Sequence, residues 1–164
     1  MFTNQNSKRK NSYFMRLALQ QAAYSLGDTK ENPAVGCVIV KNNHVIGIGR
    51  TSSKGRPHAE INAINYCKIN PRDSELYVTL EPCSHYGKTP PCVKFIIRNK
   101  INKVYFSMKD PDLRSYDKSS AILRKKGIKV KNQILKEKVN FFYRSYIKSK
   151  KSNLPFVTCK LAVS

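Results

Sequence analysis

The alternation of short apolar segments with helical patterns constrains the fold of this chain more than any other feature. Apolar and β-branched runs predict strands at Val35–Lys41, His44–Arg50, Glu75–Leu80, Lys103–Ser107 and Ile128–Val130. Apolar residues at helical spacing predict helices at Ser12–Leu26, from His58 onward, and at Cys92–Asn99, Ser119–Lys126 and Lys136–Lys148. Strands that alternate with helices pack into one sheet with helices on both faces, so we predict a layered α/β domain around a central sheet.

Length and composition limit the class of protein. The chain has 164 residues, of which 40% are hydrophobic and 10% aromatic, so it can form one folded domain with an apolar core. No stretch approaches the ~18 apolar residues that cross a membrane, and Met1–Asn11 lacks the apolar region of a signal peptide. We therefore expect no membrane contact and a cytoplasmic location. Met1–Asn11 is polar, basic and without periodicity, which predicts a flexible tail over residues 1–11.

The formal net charge of +21 suggests a second class of function. Lys and Arg bind nucleic acid by releasing counterions from its phosphates. However, 22 of the 31 cations are Lys, scattered from Lys8 to Lys160 without interleaved aromatic residues on one face. This distribution is more typical of a generally basic surface. A basic nucleic-acid-binding module therefore stays an alternative, and nucleic acid is not the partner that we expect.

Three residues of metal-binding type follow one another along the chain: His58, then Cys83 after Pro82, then Cys92. One His and two Cys bind zinc and leave a fourth tetrahedral position open for water, as a catalytic zinc requires. The ligands lie near predicted helix starts, where the helix dipole and free N–H groups favour a thiolate. The sequence therefore predicts Zn²⁺ as cofactor. A purely structural zinc site is the alternative, but it lacks an obvious fourth ligand, since His85 would have to reach back from the intervening loop.

Glu60 is the candidate catalytic residue. It lies two residues after His58, close enough to touch a metal-bound water without being a ligand. Zinc lowers the pKa of such a water to around 7, and a carboxylate can pass the proton to a ring nitrogen and then to a leaving amine. His-x-Glu followed by Pro-Cys and a later Cys is the signature of zinc-dependent base deamination. An acidic first helical turn alone would look the same, so the prediction depends on the combination.

The loop between the two cysteines favours a phosphorylated substrate. Deaminases of free cytidine and of tRNA adenosine usually place about two residues between these cysteines, whereas Ser84–Pro91 fills the gap here. This loop carries His85 and Lys88, which can bind phosphate as a donor and a point charge. A solvated loop with an incidental lysine is the alternative. A nucleoside or tRNA base deaminase stays open as an alternative function.

Three segments together resemble a known family, namely Asn32–Val40 (NPAVGCVIV), His58–Glu60 (HAE) and Pro82–Cys92 (PCSHYGKTPPC). They are similar to the deaminase domain of the bifunctional riboflavin biosynthesis deaminase/reductase. The resemblance implies a cytidine-deaminase-like, three-layer α/β/α sandwich with a mixed sheet of about five strands. It also implies hydrolytic deamination of 2,5-diamino-6-ribosylamino-4(3H)-pyrimidinone 5′-phosphate to 5-amino-6-ribosylamino-2,4-pyrimidinedione 5′-phosphate, with release of ammonia, in riboflavin biosynthesis.

The resemblance also implies roles for individual residues. The family's zinc ligands match His58, Cys83 and Cys92, its proton shuttle matches Glu60, and its substrate pocket matches Asn32, His85, Lys88 and Asp110. Chemistry supports two of these positions independently, because an Asn amide suits a pyrimidine carbonyl and ring N–H pair and an Asp can accept from ribose hydroxyls. Ordinary turn residues would give the same pattern at both.

The sequence departs from the family at three places, one of which is Asp112-Leu113, where Asn-Pro is commoner. Many members have His seven residues before the zinc-ligand His, where this chain has Thr51, which cannot titrate near neutrality. Residues 12–150 correspond to the deaminase domain, and residues 151–164 to a linker and the first strand of a reductase domain that does not follow. We expect no reductase activity from this chain and, as partners, a separate reductase or a second copy. A natural deaminase-only protein, a truncated gene product and a fragment all stay open.

Overall fold

A computed structural model, which describes residues 2–112, 117–152, 154 and 156–162, contains one mixed sheet. Its strands are β1 (Gly36–Lys41), β2 (His44–Arg50), β3 (Glu75–Leu80), β4 (Lys103–Met108) and β5 (Lys129–Lys131). They lie in the order β2-β1-β3-β4-β5. β1 is antiparallel to β2 and to β3, whereas β3, β4 and β5 are parallel. The predicted mixed sheet is confirmed.

Helices cover both faces of this sheet. They are α1 (Phe2–Ala23), α2 (Ala59–Asn65), α3 (Cys92–Arg98), α4 (Lys118–Lys125), α5 (Lys136–Phe142) and α6 (Arg144–Lys151). Phe14 of α1 packs in one apolar cluster with Tyr77 of β3, while Ala63 of α2 and Ile96 of α3 belong to another with Val78. Neighbouring strand residues point to opposite faces, so α1 covers one face and α2 and α3 the other. The predicted three-layer α/β/α architecture is therefore confirmed.

Two glycines allow helices α1 and α2 to pack close to the sheet. A Cβ at Gly36 of β1 would overlap the carbonyl oxygen of Ala18 in α1. A Cβ at Gly49 of β2 would overlap the carbonyl oxygen of Ala59 in α2. Any side chain at Gly49 would push away the first turn of α2, which carries Glu60. The spacing of these layers therefore fixes the place of that carboxylate.

Residues 2–11, which the sequence predicts to belong to a flexible tail, are helical in the structure, because α1 begins at Phe2 and includes Asn11. Polar contacts with β3 hold this part of the helix. Lys10 Nζ lies 2.9 Å from Glu75 Oε2, and the Tyr77 hydroxyl donates to Asn11 Oδ1 over 2.9 Å. Apolar periodicity does not detect a helix that is anchored through polar side chains. The helix also ends at Ala23, three residues before its predicted end.

The single helix predicted over Lys136–Lys148 is instead two helices, separated at Tyr143. The Tyr143 side chain is buried, and its hydroxyl donates to the carbonyl oxygen of Ala34 over 2.9 Å and lies 2.6 Å from Thr79 Oγ1. These contacts anchor the junction to the sheet. α6 begins at this anchored residue, which makes its position relative to the sheet well defined.

The reductase-type strand predicted within residues 151–164 is not observed over residues 156–162, which have no regular secondary structure and are exposed. A strand needs a hydrogen-bonding neighbour, and none of the described strands pairs with this segment. Asn153, Pro155, Val163 and Ser164 lie outside the described residues, as does Met1. Of the helices that the structure describes, none combines the length and the apolar character that crossing a membrane requires.

Candidate active site

The sheet topology brings four chain segments together at one edge. β3 and β4 are parallel, so their carboxyl ends, which lead to Cys83 and Asp110, lie side by side. β1 is antiparallel to β3, and Gly36 at its start pairs with Arg50 at the end of β2. Asn32 before β1 and Thr51 after β2 therefore lie at the same edge. This convergence places residues distant in sequence around one site.

A cavity of about 400 Å³ opens at this edge. Residues predicted for the site line it, namely Asn32, His58, Glu60, Cys83, His85, Lys88 and Asp110. The remaining predicted residue, Cys92, is 1% exposed and contacts His58 and Cys83 beside the cavity. The structure therefore brings all the predicted site residues to one place.

His58, Cys83 and Cys92 form a compact set of metal-binding atoms. His58 immediately precedes α2, Cys92 is the first residue of α3, and Cys83 follows the end of β3. The Cys83 and Cys92 sulfurs lie 3.6 and 3.4 Å from His58 Nδ1. All three ligand atoms lie within 4.8 Å of one another, and among the described residues no fourth His, Cys, Asp or Glu joins them.

This donor set fits zinc. Tetrahedral zinc places its ligand atoms at ~2.0–2.3 Å from the metal and so about 3.5 Å from one another, which the 3.6 and 3.4 Å between the two sulfurs and His58 Nδ1 match. A hydrogen bond from the Cys92 side chain and then one from His58 lower the pKa of the Cys83 thiol, and the Cys92 N–H also donates to Cys83 Sγ over 3.2 Å. The thiolate is the form that binds a metal. Nitrogen with two sulfurs leaves one tetrahedral position for a water.

Glu60 lies in the first turn of α2 and is only 3% exposed. Burial raises the pKa of its carboxyl to about 7, while the charge of His58 opposes the shift. The neighbouring Cys92 side chain also opposes the rise of this pKa. An acid with a pKa near neutrality can both take and give a proton. Glu60 therefore lies beside the metal ligands with a pKa in the range that proton transfer requires.

Asp110 follows β4 and is 8% exposed. Its Oδ1 accepts hydrogen bonds from the Asp112 N–H over 3.0 Å and from the Tyr146 hydroxyl over 3.2 Å. Burial raises the pKa of this carboxyl, and both hydrogen bonds oppose the shift. Glu81 organises the same loop, because its carboxylate accepts from Ser119 Oγ over 2.7 Å and from the Asp110 N–H over 3.4 Å.

Residues 8–108 match the family described as the cytidine and deoxycytidylate deaminase zinc-binding region. The chain belongs to this family. The match contains the His58, Cys83 and Cys92 cluster and Glu60, and it ends before Asp110. The three-residue metal cluster in the structure agrees with the zinc-binding character of the family.

Individual relatives in the deaminase family define the resemblance further. The diaminohydroxyphosphoribosylamino-pyrimidine deaminase of Buchnera aphidicola (subspecies Schizaphis graminum) is 38% identical over 146 residues, which are 89% of this chain and 99% of that protein. The riboflavin biosynthesis protein RibD of Bacillus amyloliquefaciens is 38% identical over 152 residues, 93% of this chain but 41% of that protein. The RibD structure from Acinetobacter baumannii superimposes with a TM-score of 0.86 at 35% identity, covering 92% of this chain and 42% of that one.

Thr51, where many members of the riboflavin deaminase family have His, has a structural role in this chain. Its side chain is buried, and its hydroxyl accepts from the Val35 N–H over 2.9 Å and donates to the Pro33 carbonyl over 3.1 Å. Thr51 therefore ties the end of β2 to the segment that leads from Asn32 into β1. It lines the cavity as a fixed neutral group.

The cavity also contains charged and polar residues that sequence reasoning missed, namely Lys54, Arg56, Asp112, Tyr146 and Lys150. Arg56 donates to Thr89 Oγ1 and so contacts the loop between the cysteines. Tyr146 and Lys150 lie on α6, one turn apart. Spacing of four residues on a helix places two side chains on one face, but nothing in the sequence indicates which face of α6 meets the cavity.

Proposed function

We propose that this chain catalyses the hydrolytic deamination of 2,5-diamino-6-ribosylamino-4(3H)-pyrimidinone 5′-phosphate. The product is 5-amino-6-ribosylamino-2,4-pyrimidinedione 5′-phosphate, with ammonia released. The observation that carries the proposal is a buried Glu60 beside the His58, Cys83 and Cys92 cluster in one cavity with the loop that holds Lys88. The similarity to the Buchnera deaminase, which the chain covers almost completely, supports this choice of substrate.

The reaction replaces the 2-amino group of the pyrimidine with oxygen from water. His58, Cys83 and Cys92 would hold zinc, which supplies a water of lowered pKa. Glu60 takes a proton from the attacking water at its carboxylate and gives it to the adjacent ring nitrogen. It then takes the second proton, from the hydroxyl added at C2, and delivers it to the departing amine. The C–O bond forms as water adds to C2, and the C–N bond breaks as ammonia leaves. The buried position of Glu60 limits its proton exchange with bulk solvent.

Binding groups surround this centre. The Asn32 amide can donate to a pyrimidine carbonyl and accept from a ring N–H, and Gly55 packs directly against that amide, since a Cβ there would overlap it. Lys54, Arg56 and Lys88 bring positive charge to the cavity. These cations favour the phosphate of the substrate by direct attraction and by steering. His85 lines the same region as a further hydrogen-bonding group.

Replacing Lys88 with alanine is expected to raise KM for the phosphorylated substrate about fivefold, because Lys88 is an exposed cation whose attraction is partly screened. The effect on kcat should be smaller, since Lys88 is not among the metal ligands. Steady-state kinetics at low ionic strength measure both. Lys129→Ala is the matched control, because it removes an exposed cation of β5 that does not line the cavity. Equal KM values for wild type and Lys88→Ala would remove Lys88 from the phosphate site.

The proposed reaction is tested by running it in water labelled with heavy oxygen. Zinc-loaded protein should release one ammonia per substrate and place one labelled oxygen at C2 of the product, as mass spectrometry would show. Product without labelled oxygen would contradict hydrolysis. Binding of RNA with no ammonia release from any pyrimidine would favour the alternative of a nucleic-acid-binding module.

The remaining aspects of the proposal concern the cellular setting. We propose a cytoplasmic location and a small phosphorylated pyrimidine as the ligand. The division into a deaminase domain over residues 12–150 and a following linker, and the partnership with a separate reductase or a second copy, stay predictions. An assay with added reductase and NADPH would show whether the product passes to a reduction step.

A further inference from the structure

α6 forms one wall of the cavity through Tyr146 and Lys150. Both side chains contact the segment after β4. The Tyr146 hydroxyl donates to Asp110 Oδ1 over 3.2 Å, and Lys150 Nζ lies 3.9 Å from Asp112 Oδ2. Two aspartates of the cavity are therefore each paired with a residue of α6.

The contacts of Asp110 fix its side chain. Oδ1 accepts from both the Tyr146 hydroxyl and the Asp112 N–H, so the carboxylate is held from two directions. The backbone of Asp110 is held as well, since its N–H donates to Glu81 Oε2 over 3.4 Å. Without the Tyr146 hydroxyl, the carboxylate would keep one of the two contacts described here. A carboxylate held in one orientation recognises a pair of hydroxyls better than a mobile one, because less entropy is lost on binding.

Charge balance supports a binding role for this wall. Asp110 and Asp112 place two carboxylates close together in the cavity, and the substrate of the proposed function carries an anionic phosphate. Lys150 offsets the charge of Asp112. The two aspartates can therefore accept hydrogen bonds from hydroxyl groups of a ligand. Because Lys150 is paired with Asp112, they repel the phosphate less than two unpaired carboxylates would.

The two aspartates and their partners on α6 lie outside the part of the chain that matches the deaminase family. The family match covers residues 8–108, which include the metal ligands and Glu60. Asp110, Asp112, Tyr146 and Lys150 all follow it. The metal ligands and Glu60 thus belong to the region shared by the deaminase family. The aspartates and α6 belong to a region in which members of that family can recognise different substrates.

We propose that Tyr146 is a positioning residue that orients the Asp110 carboxylate toward the ribose hydroxyls of the ligand, so that α6 selects ribosylated pyrimidines. The inference rests on the proposed function for the identity of the ligand. Tyr146 acts through Asp110 and does not take part in the proton transfer of Glu60.

The test is a double-mutant cycle on zinc-loaded protein, in which Kd is measured by titration calorimetry. The ligands are the deamination product and its 2′,3′-dideoxyribosyl analogue, which lacks the hydroxyls. Tyr146→Phe should raise Kd for the product about tenfold, the cost of ordering one side chain on binding when it is no longer held in the free protein. It should change Kd for the analogue less than about twofold. In an Asp110→Ala background, Tyr146→Phe should add little further effect on the product.

Tyr77→Phe is the matched control, because it removes a buried hydroxyl that bonds to Asn11 and Glu75 on the face of the sheet covered by α1, away from the cavity. It should lower Tm and leave Kd unchanged. Equal effects of Tyr146→Phe on both ligands, or an increase in Kd as large in Tyr77→Phe, would overturn the positioning role. Product binding does not require turnover. Wild-type protein that binds the product but releases no ammonia would therefore contradict the proposed function alone, whereas protein that binds neither ligand would contradict both.

Discussion

Replacing Glu60 with glutamine is expected to lower kcat for ammonia release by about 10³-fold, the usual contribution of a general acid–base group. Glutamine has nearly the same shape but cannot take a proton from water or pass one to the leaving amine. The His58, Cys83 and Cys92 set is unchanged in this variant, so the zinc content should stay at about one ion per chain. Kinetics and metal analysis of the same preparation measure both quantities.

Glu137→Gln serves as the control, because Glu137 is an exposed carboxylate on α5 and does not line the cavity. It should retain wild-type kinetics. Full activity of Glu60→Gln would exclude the proton-transfer role. Loss of zinc together with activity would instead show that the Glu60 carboxylate holds the metal site together, as its position beside the ligands allows.

Replacing Cys92 with serine is expected to remove bound zinc and, with it, deaminase activity. Serine is a poor zinc ligand because its hydroxyl stays protonated, whereas the thiol of cysteine ionises on binding. Cys92 is buried at the start of α3, so its loss also disturbs packing beneath the cavity. Zinc affinity should fall by at least about a hundredfold, as measured by competition with a chromogenic chelator.

Cys159 provides the matched variant, since it is an exposed free cysteine in the segment after α6. Cys159→Ser should bind zinc as the wild type does. A Cys92→Ser variant that keeps stoichiometric zinc and activity would show that the metal is held by other residues. Thermal unfolding of the wild type with and without zinc completes the comparison, because a ligand that binds only the folded state raises Tm.

The sequence predicted those parts of the molecule where apolar pattern and backbone chemistry agree. β3 has the predicted bounds, and the β1–β2 hairpin turns at Asn42-Asn43, where both residues have positive φ. Asn tolerates that conformation better than most residues, so the two Asn residues between the predicted strands favour a turn at this position. The metal cluster was predictable for a similar reason, because few residue types bind zinc and their spacing along the chain is characteristic.

The parts that sequence reasoning missed depend on long-range packing. Lys10 and Asn11 extend α1 through contacts with Glu75 and Tyr77, more than sixty residues away. The Tyr146 hydroxyl reaches Asp110 across 36 positions. A tyrosine in an amphipathic helix looks like a core residue in the sequence, and only the three-dimensional arrangement shows that its hydroxyl meets a cavity carboxylate.

The choice of substrate is the central claim, and a comparison of kcat/KM values for ammonia release tests it most directly. Zinc-loaded protein would be assayed with the diaminopyrimidine ribosyl phosphate, with dCMP and with a tRNA that carries an adenosine target. A cavity whose polar groups pair with one substrate rejects others strongly. We predict that kcat/KM for the diaminopyrimidine phosphate exceeds the others by at least about a hundredfold. Faster turnover of dCMP or of the tRNA would contradict the account.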